Sequence, residues 1–161
     1  MKCYIGIDPG KKGGIAWILG QRIFYEPMPE TETDLKTLFS NELSGLDAFA
    51  FIEKVHAMPE QGRSSIWTFA EGFGGLRMCL VWAGIPFETV TPMTWQKSLR
   101  IPKKGKNESK NQHKEKLRAK AQELYPKLKI WSKPKTKGKQ LAICDSLLIA
   151  TYCKRNFEGW K

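Results

Sequence analysis

Three acidic residues stand in apolar surroundings where a carboxylate is costly. Asp8 closes the run CYIGID, Glu53 closes AFAFIE, and Asp145 interrupts LAICDSLLIA. An ionised carboxylate removed from water is tolerated when it is paired or holds a metal. Each acid alone has an ordinary explanation, since a strand-end Asp makes turns and a helical Asp can pair with a lysine. Three that converge repel one another, and a hard divalent cation between them resolves the repulsion. Magnesium binds through a few carboxylates and keeps waters and substrate phosphate oxygens. Two such ions roughly 3.5–4 Å apart can activate water and stabilise the leaving oxygen of an in-line phosphoryl displacement. The chemistry expected is therefore phosphodiester hydrolysis, with Asp8, Glu53 and Asp145 as ligands, two Mg2+ ions as cofactor and Mn2+ as a substitute.

The elements that must position these acids can be read along the chain. Cys3–Asp8 and Gly14–Leu19 are short apolar strands separated by the turn sequence PGKKGG, and Gly20-Gln21 leads to a third strand from Arg22 to Tyr25. Leu35, Leu38, Phe39 and Leu43 recur at helical spacing over 33–43, with Thr31 or Thr33 as cap. A fourth strand, Ala48–Glu53, precedes a loop and a long helix over 65–83 that Gly84 stops. Phe87–Val90 is a fifth strand and Pro92 opens a short helix. A basic helix over 109–125, a Lys-rich irregular connection over 126–140 and an apolar helix over 141–153 complete the chain. Tight turns imply that the first three strands are antiparallel, and helical crossovers imply parallel pairing of the later ones. This α/β pattern, a mixed five-stranded sheet flanked by helices, matches the ribonuclease-H-like architecture. It can place strands one and four side by side, so that Asp8 and Glu53 meet at one edge and the last helix lays Asp145 across it.

The charge is distributed unevenly. Of 27 Lys and Arg and 16 Asp and Glu in 161 residues, Lys97–Lys139 holds 16 basic and 3 acidic, a net +13, and the remainder is near neutral. The expected organisation is one domain over 1–161 with a basic DNA-binding segment at about 97–139, because such asymmetry points to a polyanion. Trp131 lies among Lys127, Lys129 and Lys133, where it could stack on a base or tuck onto the core. Cys3, Cys79, Cys144 and Cys153 form no CxxC pair and read as reduced, mostly buried thiols. No apolar run is long enough for a membrane span, and the first one is too short for a signal peptide. The expectation is a cytoplasmic protein, bacterial or phage-encoded, with no membrane partner.

At these residues the chain resembles the RuvC family of Holliday-junction resolvases. The resemblance rests on YIGIDPG at 4–10, FIEKVHAMP at 51–59, TPMTWQK at 91–97 and DSLLIA at 145–150. It implies a homodimer that binds four-way DNA junctions and nicks two strands symmetrically with magnesium, and it carries Asp8, Glu53 and Asp145 over as metal ligands. It also implies that Lys97 and Lys110 lie near the scissile phosphates as catalytic cations, and that His56 lies where relatives carry an aromatic that stacks on bases. The sequence departs from the family at Ala142, where an acid or histidine is usual one helical turn before the last Asp. Lys54, Arg63, Lys103, Lys104, Lys106, Lys114 and Arg118 are further expected DNA contacts, with Lys116 and Lys120 beside them. The helix 65–83 carries Trp67, Phe69, Phe73, Met78 and Trp82 around it with glycines at 72, 74 and 75, which makes it the expected two-fold interface.

Three other readings share parts of this pattern. A different ribonuclease-H-like nuclease, acting on a DNA flap or structured RNA, would have the same metal site. A non-catalytic junction binder is motivated by Ala142. A sugar-kinase or actin-like ATPase also opens on an Asp before a Gly-rich turn, but such proteins are much longer.

Overall fold

A computed structural model of the chain describes residues 1–54, 62–132 and 137–159, with the side chains of Arg63, Ser132, Lys137 and Lys139 outside that description. Five strands form one sheet: β1 (Cys3–Asp8), β2 (Gly14–Leu19), β3 (Arg22–Pro27), β4 (Ala48–Glu53) and β5 (Phe87–Val90). Their order is β3-β2-β1-β4-β5. β1 pairs antiparallel with β2, and β2 with β3, whereas β4 lies parallel to β1 and β5 parallel to β4. The antiparallel meander, the parallel half and the neighbourhood of β1 and β4 are all as the sequence predicts.

Helices cover both faces. α1 (Glu32–Leu38), continued by a wide helical turn at Phe39–Leu43, and α2 (Arg63–Trp82) lie on one side. Leu35, Phe39, Leu43, Leu76 and Leu80 pack there against Ile5, Ile7, Ile15, Ala50 and Ile52. The other face carries α3 (Pro92–Ser98), α4 (Lys110–Leu124) and α5 (Lys137–Glu158). Trp95, Leu117, Ala121, Leu147 and Ile149 pack there with Tyr4, Ala16, Ile18 and Phe51. Side chains alternate across a strand with a period of two. Tyr4, Gly6 and Asp8 of β1, like Phe49, Phe51 and Glu53 of β4, therefore share the α5 face.

Gly6 determines how closely α5 approaches. A Cβ there would overlap the backbone of Ser146, Ile149 and Ala150, so only glycine lets this helix lie directly on β1. Gly10, at φ 116°, turns the chain after Asp8, in a conformation L side chains rarely adopt. Gly13 donates to the Gly10 carbonyl at 2.9 Å, and a Cβ on it would overlap the Asp8 carbonyl.

Several boundaries differ from the sequence expectation, among them the end of β3 at Pro27 and the start of α2 at Arg63. The first helix is α-helical only over Glu32–Leu38, with Thr31 as the capping residue. α5 begins at Lys137 and runs to Glu158, because Gln140 is drawn into the core, where its amide donates to the Ile130 carbonyl at 2.8 Å. The stretch 126–140 is not wholly irregular, since Lys129–Ser132 forms one 3-10 turn. Trp131 packs against the core and donates its indole N–H to the Tyr125 carbonyl at 2.7 Å, which selects the core role over base stacking. The four cysteines are free, three of them buried. Among the described residues no helix is long and apolar enough to cross a membrane.

Candidate active site

Asp8 and Glu53 end adjacent parallel strands. The register pairs Ile7 with Ile52, and the same offset sets Asp8 beside Glu53, one strand spacing away. α5 crosses β1 at Gly6 and so delivers Asp145, the residue before Ser146, to that end of the sheet. Carboxyl ends of parallel strands are where open α/β sheets form their sites.

The three acids act on one another. Burial is the first cause raising the pKa of Asp8, followed by the charges of Asp145 and Glu53. Glu53 is pushed up to about 7, by burial first and then by Asp145. Burial also raises Asp145. Among the described residues one cation opposes these effects: Lys114, on the second turn of α4, lowers all three. Glu53 has a further partner, since the indole N–H of Trp95 donates to its Oε1 at 3.0 Å. Among the described residues, no three carboxylates, imidazoles or thiolates close on each other tightly enough to cage an ion unaided.

The segment after β5 holds these groups in place. Thr91 caps α3, its hydroxyl accepting from the Thr94 N–H, and Pro92 occupies the first turn. Ser109 starts α4 with a reciprocal capping box to Gln112. His113, next to Lys114, bonds Gln96 at 3.2 Å through Nε2, which ties α4 to α3.

No family model matches the sequence, and no curated protein matches it. Solved structures do. Thermus thermophilus RuvC in complex with a Holliday junction substrate matches with a TM-score of 0.60 at 14% identity, over 98% of this chain and 96% of that one. A second T. thermophilus RuvC structure matches with a TM-score of 0.52 at 16% identity, over 96% of each chain. The fold is that of RuvC.

Within this RuvC fold the expected DNA contacts separate into groups. Lys103, Lys104 and Lys106 are exposed in the segment before α4, and Lys54 is exposed just after β4. Lys97 and Lys110 are exposed too, on α3 and at the start of α4. Among the described residues, the lysine whose charge lowers the carboxylates is Lys114, one helical turn beyond Lys110, in a half-buried position. Several basic residues are engaged within the fold: Arg118 donates to Gln140 at 2.8 Å and lies 3.8 Å from Glu115. Lys116 pairs with Glu108, and Lys120 with Glu123, each at 2.8 Å. His56 lies outside the described residues, as does the side chain of Arg63. Ala142 is buried and brings no ligand side chain, while the neighbouring Ser146 hydroxyl is bound to the Ile143 carbonyl at 2.9 Å. A concavity of about 540 Å3 between the end of β3 and α1 shares no residue with the carboxylate site.

Sequence reasoning did not single out Trp95. The signal was present in TPMTWQK: a tryptophan one turn into a helix that follows a strand must find a partner for its N–H when buried.

Proposed function

We propose that this chain is a structure-specific DNA endonuclease that resolves four-way junctions by divalent-metal-dependent phosphodiester hydrolysis, acting as a homodimer that makes paired, symmetric nicks. The observation that carries the reading is the convergence of Asp8, Glu53 and Asp145, each raised in pKa and facing Lys114, at the carboxyl end of β1 and β4 in a RuvC fold. The donor set fits a hard, oxygen-preferring ion. It consists only of carboxylates and carries more negative charge than Lys114 offsets, which suits magnesium held through a few carboxylates with waters completing its shell. Asp8, Glu53 and Asp145 would hold it, and when bound it supplies an activated water and charge stabilisation at the leaving oxygen. Lys114 offsets negative charge that builds on the phosphate. Lys103, Lys104, Lys106, Lys54, Lys97 and Lys110 contact the backbone of the junction arms and set register.

The dimer reading rests on α2. Trp67, Met78, Val81 and Trp82 are all more than half exposed, and with Gly74 and Gly75 they fall on one side of the helix at spacings of three, four and seven. A Cβ on Gly72, Gly74 or Gly75 would meet no neighbouring atom. Such an apolar stripe on a soluble protein marks an interface, and an isologous one suits a two-fold substrate.

Cleavage of matched substrates tests the reading. The protein in Mg2+ is expected to nick a labelled four-way junction at symmetric positions, and to act at least tenfold more slowly on a flap and an RNA–DNA hybrid. Preference for the hybrid or flap would transfer the site to another ribonuclease-H-like nuclease. Junction binding with no cleavage in Mg2+ or Mn2+ would make the chain a binder.

A further inference from the structure

Trp95 is fully buried and belongs to the core beside Val90, Leu99, Leu117 and Leu147. Its ring is fixed by packing, and the α3 backbone that carries it is fixed by the Thr91 cap and by bonding of its own N–H to the Thr91 carbonyl at 3.3 Å. Only one atom of this side chain is polar, and that atom donates to Glu53 Oε1 at 3.0 Å. Glutamate is the longest and most mobile of the carboxylate ligands, and ordering such a side chain costs rotamer freedom. An indole N–H has a property that a lysine or arginine would lack here. It fixes an oxygen without cancelling the negative charge that an ion must find, and it cannot accept, so it favours the ionised carboxylate. The bond acts in the sense opposite to burial and to Asp145 on Glu53.

We infer that Trp95 is the positioning residue for Glu53: its N–H holds Oε1 and so fixes the orientation of the carboxylate that would take up the divalent ion. The inference rests on the metal-site reading of Asp8, Glu53 and Asp145. It assigns a job to TPMTWQK that phosphate contact by Lys97 does not cover. α3 becomes a bracket, with Trp95 setting a ligand while the adjacent Gln96 holds His113 and so the turn of α4 that carries Lys114. Outer partners of metal ligands typically carry about 10–100-fold in metal affinity.

The test is Mn2+ binding by calorimetry to the full-length, DNA-free protein, with thermal melts in EDTA alongside. Trp95→Phe removes the donor but also leaves a cavity. A second variant therefore carries benzothienylalanine at position 95 by site-specific incorporation, which keeps the ring shape and replaces N–H with sulfur. The expected result is Mn2+ affinity lowered about 10–100-fold for the isostere, with its EDTA melt and its junction binding in EDTA unchanged. In a Glu53→Gln background the isostere is expected to cause no further loss. Wild-type affinity in the isostere would overturn the inference, as would an equal loss in the Glu53→Gln background. Absence of Mn2+ binding by the wild type would instead remove the metal-site reading itself.

Discussion

Asp8, Glu53 and Asp145 are held in the fold against their own chemistry. All three pKa values lie above the ordinary carboxylate range, with burial as the first cause. A group raised on folding binds more protons in the native than in the unfolded state, so ionising it costs stability as pH rises through the interval. The three acids therefore contribute stability to the metal-free protein that is fully present below about pH 4 and is lost as pH rises through about 7, where Glu53 titrates, and beyond for Asp8. Urea unfolding in EDTA across that range checks the sign, and Mg2+ should restore stability at pH 8 by mass action. Asp8→Asn should raise stability in EDTA at pH 8 by on the order of 1–3 kcal/mol while abolishing cleavage. The lysines separate in the same way. Lys114→Ala should slow nicking of bound junction about 100-fold, and Lys110→Ala should act mainly on binding. The three acids were legible in the sequence because each interrupts an apolar run. Lys114 was not distinguishable from its neighbours, because α4 also carries Lys110, Lys116 and Lys120 and only the docked phase of the helix selects one.

Among the elements, the strands were legible nearly to the residue: Gly and Pro punctuate the chain around their apolar runs, and an acid closes β1 and β4. The helices were less so at their termini. Gln140 looked like linker in the sequence and proved to be buried in α5, since a polar residue enters a core when its amide finds a carbonyl, as it does at Ile130. The contact on which the site depends is the crossing of α5 over β1. Gly6→Ala should cost at or above the upper end of the roughly 1–3 kcal/mol usual for overpacking, because the obstruction is backbone. It should also weaken Mn2+ binding in whatever fraction folds, since Asp145 moves with the helix. A wild-type melting temperature for Gly6→Ala would show that α5 does not seat as described.

Across the whole molecule the charge falls into two parts, a near-neutral body and a basic segment over 97–139. Exposed Lys103, Lys104 and Lys106 are its most available members, since Lys116, Arg118 and Lys120 already have partners. Replacing the three with alanine should weaken junction binding and flatten the log–log salt dependence by about 2–3, with kcat for bound junction little changed. The proposed dimer rests in the sequence only on an excess of apolar side chains on one helix; the structure adds that Trp67, Met78, Val81 and Trp82 are exposed in the single chain. Trp82→Glu should shift sedimentation from dimer to monomer and turn paired nicks into single ones. If Asp8, Glu53 and Asp145 cut DNA through a shared divalent ion, nicking of a labelled four-way junction must depend on that ion and on each carboxylate. Wild type should cut in Mg2+ and stop in EDTA, while Asp8→Asn, Glu53→Gln and Asp145→Asn should bind the junction and leave it intact in both. Cutting in EDTA, or full activity in any of the three variants, would contradict it.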